Sequence, residues 1–170
     1  MTKRNLLIAA IWAWVAGLVC FAFPFLVSPF LEFDLSGFTL LTKITFHEAL
    51  QKDIAEMPYN ICLILSAVAG VVGLCSTAAC NGYWEKAKDG GRHIIAMVSG
   101  AVGVLCLLLF QSTYGGSEAG MELRHLTSPG WGRNLALFCF IGATACVLAA
   151  TLVKEKTTTK QSQETEEPPA

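Results

Sequence analysis

The chain has 170 residues, 54% of them hydrophobic and only 15% charged, with a formal net charge of −1. A typical soluble domain is about 45–50% apolar and roughly 25% charged. The balance excludes a disordered chain, a collagen-like repeat and a basic nucleic-acid surface as its main character, and the length bounds it to one domain.

The charges fall in a few short zones and leave charge-free stretches at 5–31, 57–84, 93–117 and 134–153. A helix rises about 1.5 Å per residue, so roughly 20 apolar residues cross the hydrocarbon layer of a bilayer. The stretches predict four transmembrane helices at about 6–27, 60–80, 93–113 and 134–153. None has the polar stripe that a helix of a soluble bundle carries at helical period. The fold expected is an all-α membrane protein, with residues 1–153 forming four transmembrane helices in an up-down bundle. The first stretch opens with Lys3 and Arg4, as a signal peptide does. It is longer than the usual apolar region and lacks a good cleavage site, so retention as a span is expected.

Basic residues orient the spans. Lys3, Arg4, Lys86, Lys88, Arg92, Lys154, Lys156 and Lys160 lie on the side of the N-terminus, and Lys43, Lys52, Arg124 and Arg133 on the other. The bias places both termini in the cytoplasm and the chain in the plasma (inner) membrane. Residues 154–170 read as a disordered cytoplasmic tail.

The first outer loop, 32–58, is expected to form a short hairpin and then an amphipathic helix. Residues 31–35 alternate at period two, Ser36-Gly37 suggests a turn, and Phe38-Thr39-Leu40 resumes the extended pattern. Thr45 and Glu48 have capping-box spacing, and Phe46, Leu50, Ile54 and Met57 fall on one helical face up to Pro58. In the second outer loop Ser117 is placed to cap a short helix running through Leu126. Tyr59, Trp84, Tyr114 and Trp131 are expected as anchors at the membrane interfaces.

Small residues recur at four-residue spacing, with Ser66 and Gly70 in the second span, Ser99 and Gly103 in the third, and Gly142 and Cys146 in the fourth. Together with Gly73 and Gly100 they are candidate helix-packing positions, since lipid provides no hydrophobic drive between helices and close approach matters.

Catalytic chemistry finds little support. The seven cysteines lie in or at the ends of spans with no C-x-x-C pair, and they read as small hydrophobes. No histidine sits at midspan to hold haem, and no ionisable residue sits there to couple ions. His47-Glu48 lacks the second histidine of a zinc helix, and no phosphate-binding glycine loop or serine elbow occurs. Should the outer loops meet, His47, Glu122 and His125 form the one donor set fit for zinc, although solvated side chains are the ordinary reading. No catalytic residue and no cofactor is expected. The partners expected are the lipid bilayer and a membrane-protein partner or a second copy of the chain, with no nucleic acid.

The Ser36-Gly37-Phe38 turn after a Pro-punctuated first span, and Pro129-Gly130-Trp131-Gly132 entering a Leu/Gly/Ala-rich last span, resemble small four-span membrane proteins of bacteria without an assigned activity. The resemblance implies a membrane-embedded fold and carries over no catalytic residue. Claudin-like proteins share the span count and a long first outer loop, but residues 32–58 hold neither the tryptophan nor the paired cysteines of their signature. Two functions are expected from these features. One is a non-catalytic accessory, scaffold or self-associating membrane component. The alternative is a lipid or small-molecule binding or transport protein with a cleft capped by loop 32–58.

Overall fold

The computed structural model describes residues 2–28, 33–41, 60–80, 91–113, 124–125 and 127–153. Four long helices make up most of it, and each is long and apolar enough to cross a membrane. We label the helices α1 (Lys3–Val19), α2 (Gly37–Leu41), α3 (Ile61–Ala78), α4 (Arg92–Leu109) and α5 (Trp131–Leu152). The strands are β1 (Pro24–Ser28), β2 (Phe33–Ser36) and β3 (Ser128–Pro129).

Contacts run in a ring, α1 on α3, α3 on α4, α4 on α5 and α5 on α1. Neighbours are antiparallel. Leu6, Leu7 and Ala150 share one cluster and Ala10, Ala96 and Val147 another, so α1 and α4 each climb as α5 descends. Asn60, at the start of α3, reaches the carbonyl of Phe110 just past α4, while Arg92, at the start of α4, reaches that of Ala79 just past α3. The long helices thus form an up-down bundle.

The local causes are readable. Thr2 caps α1 by accepting from the Asn5 amide at 3.3 Å, and Asn60 caps α3 by accepting from the Leu63 amide at 3.1 Å. Asn60 is buried, and its Nδ2 donates to the Phe110 carbonyl at 2.9 Å, so one side chain starts α3 and ties it to α4. Thr113 Oγ1 also donates to that carbonyl, at 2.7 Å. Replacing Asn60 with Ala therefore removes a cap and a tether without orphaning the carbonyl. The expected cost is about 1 kcal/mol, read by detergent unfolding followed by circular dichroism.

The first helix ends earlier than its hydropathy suggests. A 3-10 turn over Cys20–Ala22 closes α1, and Phe23 turns extended because the residue before a proline is pushed out of helical geometry. Residues 24–27, expected inside the span, belong with Ser28 to β1 instead, with Pro24 at the first position of the strand. The β2 residues follow the alternation seen in the sequence, but they pair with β1 and not with 38–40. Those residues belong to α2, where Ser36 Oγ accepts from the Thr39 amide at 3.1 Å. The last helix starts at Trp131, earlier than expected, and α4 ends at Leu109.

Strand order is β2-β1-β3 with both pairings antiparallel. The register shifts between Pro24 and Leu26, and this bulge lets the successive side chains of Phe25 and Leu26 both be buried. Pro129 sits on an edge strand, where its missing N–H costs least. The sheet covers the end of the bundle where α1 and α4 finish and α3 and α5 begin. The expected amphipathic helix at 45–57, Pro58, most of the expected 117–126 helix and the tail 154–170 lie outside the described residues.

Candidate functional site

The centre of the bundle is organised by one ring. Phe140 of α5 is fully buried and faces a glycine on each of the other three long helices. A Cβ added at Gly17 would stand 2.6 Å from its Cδ1, one at Gly70 2.9 Å from its Cζ, and one at Gly103 2.7 Å from its Cδ2. Trp14 of α1 packs edge-on against it, with ring centroids 5.1 Å apart. A Cβ on Gly73 would come within 2.5 Å of the indole. Glycine is used here for the space it leaves beside a large ring.

Ser66, Gly70 and Gly73 of α3 and Ser99, Gly100 and Gly103 of α4 are all buried, on the inward faces of their helices. Gly100 meets Thr144 of α5, and Gly103 also approaches Ala69 of α3. Gly142 is half-buried, and a Cβ there would meet nothing within 4 Å. The contrast predicts that Gly103→Ala destabilises by about 1–3 kcal/mol through overpacking. Gly142→Ala should stay within about 0.5 kcal/mol of the parent. Parallel denaturant titrations of the two variants would show the difference.

Among the described residues, the serines, Thr77 and the indole of this interior are hydrogen-bonded within or between their helices. Ser66 Oγ donates to the Leu63 carbonyl at 2.9 Å, and Ser99 Oγ to that of Ala96 at 3.0 Å. Trp14 Nε1 donates to Thr77 Oγ1 at 3.2 Å, and that hydroxyl donates to the Gly73 carbonyl at 2.7 Å. The arrangement satisfies an indole N–H in an apolar surround, where an unpaired one is costly. It offers neither a nucleophile with a base nor an acid–base pair.

At the sheet end, Trp131 is half-exposed and stacks on Phe23 with centroids 4.6 Å apart. Arg133 lies over the Phe110 ring at 5.7 Å, and its buried Nε has no hydrogen-bond partner among the described residues. The Gly130 amide donates to the Phe25 carbonyl at 2.8 Å, which fastens the start of α5 to β1. A side chain at Gly130 would run into the Pro24 carbonyl, so glycine is required for this close approach.

Of the zinc candidates, His125 is exposed, while His47 and Glu122 lie outside the described residues, as do Tyr59, Trp84 and Tyr114. Among the described residues no three His, Cys, Asp or Glu side chains converge as a metal site would require.

Trp14 and Phe140 escaped the sequence reading. The available signal was a tryptophan at midspan, away from both interfaces, whose N–H had to find a partner.

Compared with known proteins, the chain matches no family model, no curated protein and no solved structure.

Proposed function

We propose that the chain is a multi-pass integral membrane protein of the plasma (inner) membrane with both termini in the cytoplasm. In this reading it acts without catalysis, as an accessory or self-associating component. The observation that carries the membrane reading is an inverted bundle. The inward faces of α3 and α4 are built from Ser66, Ala69, Gly70, Gly73, Ser99 and Gly103. Their outward faces carry Val68, Val72, Ile94, Val98, Val102 and Leu105, all exposed. A soluble bundle has the reverse order, because exposed aliphatic surface on this scale is unfavourable in water. In a bilayer the outer face needs only to be apolar, and association rests on close packing of small residues.

Support for the non-catalytic part comes from an interior filled by Phe140 and, among the described residues, from Trp14, Ser66, Thr77 and Ser99 bonding within and between their helices. The membrane reading is tested by alkaline carbonate extraction of membranes from an expressing cell. The chain should stay in the pellet, and release into the supernatant overturns the reading. For the accessory role, native mass spectrometry in mild detergent should show a homo-oligomer or a co-purifying protein. A strictly monomeric, partner-free particle overturns that role.

The second reading, a lipid-binding protein, is favoured by an apolar groove of about 360 Å³ along α3 and α4, lined by Leu65, Val68, Val72, Ile95, Val98 and Val102. The groove lies on the outer face of the helix pair, where an acyl chain fits and a soluble ligand does not. Lipid retained through native mass spectrometry would favour this reading over the first.

A further inference from the structure

Arg133 is a cation without a counter-charge among the described residues. It stands half-buried in the first turn of α5, with its guanidinium over the Phe110 ring at the end of α4. The ring offers no oxygen to its N–H donors, and the buried Nε finds no acceptor among the described residues. The first turn of α5 holds no acidic residue. Two ordinary uses of such an arginine fail here. The start of a helix is its positive end, so the charge does not complement the helix dipole. In the orientation proposed above it also lies on the outer side, where basic residues do not set topology. A cation within a span is costly and generally pairs with an anion.

Further along the same two helices, a groove of about 290 Å³ is lined by Gly100, Ala101, Val104, Ile141, Ala145 and Leu148. The one hydroxyl on its wall, that of Thr144, donates to the Phe140 carbonyl at 2.7 Å, so the groove suits an apolar chain. Arg133, Leu137, Ile141 and Leu148 follow at spacings of four, four and seven, which puts cation and groove on one face of α5. Arg133 and Leu148 are fifteen residues apart, which is about 22 Å of helix. One leaflet of a bilayer with its headgroups is about 20–22 Å thick. We propose that this α4–α5 face binds one glycerophospholipid of the outer leaflet, with its phosphodiester on Arg133 and an acyl chain in the groove. The guanidinium fork matches two phosphate oxygens, and the match in length favours a whole lipid over a free anion. The site rests on the membrane reading alone and is separate from the α3–α4 groove.

The test uses the full chain, stripped of lipid in mild detergent, with native mass spectrometry reading the bound fraction. It is titrated with palmitoyl-oleoyl phosphatidylglycerol, with palmitoyl-oleoyl-glycerol, which lacks the phosphate, and with inorganic phosphate, which lacks the chains. One phosphatidylglycerol should bind about tenfold more tightly than the diacylglycerol, since the charged hydrogen bonds go with the phosphate. Inorganic phosphate should bind more weakly than the phospholipid. Arg133→Gln should weaken phosphatidylglycerol about tenfold, to the level of the diacylglycerol, and Arg133→Lys should restore part of the loss. Ala145→Phe, on the exposed wall of the groove, should weaken both lipids. Circular dichroism checks that each variant folds; where one does not, the three ligands on the parent chain decide alone. Equal binding of the two lipids, or phosphate binding as tight as the phospholipid, would overturn the site. So would phosphatidylglycerol binding unchanged in both Arg133→Gln and Ala145→Phe, which puts the lipid elsewhere. Release of the chain by carbonate removes the membrane reading itself, whereas these failures in a chain that stays in the pellet remove the lipid site alone.

Discussion

Phe140→Ala is expected to be the most damaging single substitution in the bundle, at about 3–5 kcal/mol. The ring is fully buried, and it faces Gly17, Gly70 and Gly103 on α1, α3 and α4, with the Trp14 indole edge-on beside it. When a large side chain is removed from a core, nearby side chains usually shift to recover part of the lost contact. Glycines have none to move, and the Trp14 indole is tied to Thr77 by its Nε1, so the cavity should persist. Dispersion contacts with all three other long helices disappear together, and in a bilayer no hydrophobic transfer term remains to hold them. Unfolding in a sodium dodecyl sulfate titration, followed by circular dichroism, reads the loss. Phe138→Ala is the control, because that ring is 69% exposed two residues away and should shift the midpoint little. Equal effects in the two variants would contradict the central role of Phe140.

The four long helices were legible because charge-free length is a one-dimensional property. Lys3 and Arg4 at the start of α1, Arg92 at the start of α4 and Arg133 in the first turn of α5 mark helix ends directly. The buried small residues were legible as spacing, yet spacing does not say what fills the gap beside a glycine. Phe140 stands in a Leu/Phe-rich run where nothing local distinguishes it from Phe138. The sheet was half legible. The β2 residues alternate visibly, but β1 was hidden because Phe25, Leu26 and Val27 extend the apolar run of the first span. Hydropathy cannot tell an apolar strand from another helical turn, and only Pro24 argued for a change. The partner β3 is two residues long and lies about a hundred residues away in sequence, so only the closed bundle brings it to β1.

Trp14→Ala is the second substitution with a large expected effect, also about 3–5 kcal/mol. The indole contributes in two separable ways. Its ring fills the space beside Gly73 and packs against Phe140, and its Nε1 donates to Thr77 Oγ1 at 3.2 Å. Thr77→Val keeps nearly the same volume and removes the acceptor, leaving a buried N–H without a partner. Interhelical hydrogen bonds in membranes are modest, so this variant should cost about 1–2 kcal/mol. Trp14→Phe keeps an aromatic ring but no donor. If the hydrogen bond is the shared term, the double variant Trp14→Phe with Thr77→Val should cost less than the sum of the two single changes. Strict additivity would mean that the bond is energetically silent and that Trp14 acts by volume alone. Because Thr77 also bonds back to the Gly73 carbonyl, its hydroxyl serves as acceptor and donor at once. Thr77→Ser should therefore restore most of what Thr77→Val removes, as an effect of chemistry and not of shape. That rescue, read by the same detergent titration, separates a hydrogen-bonded tryptophan from one that is merely packed.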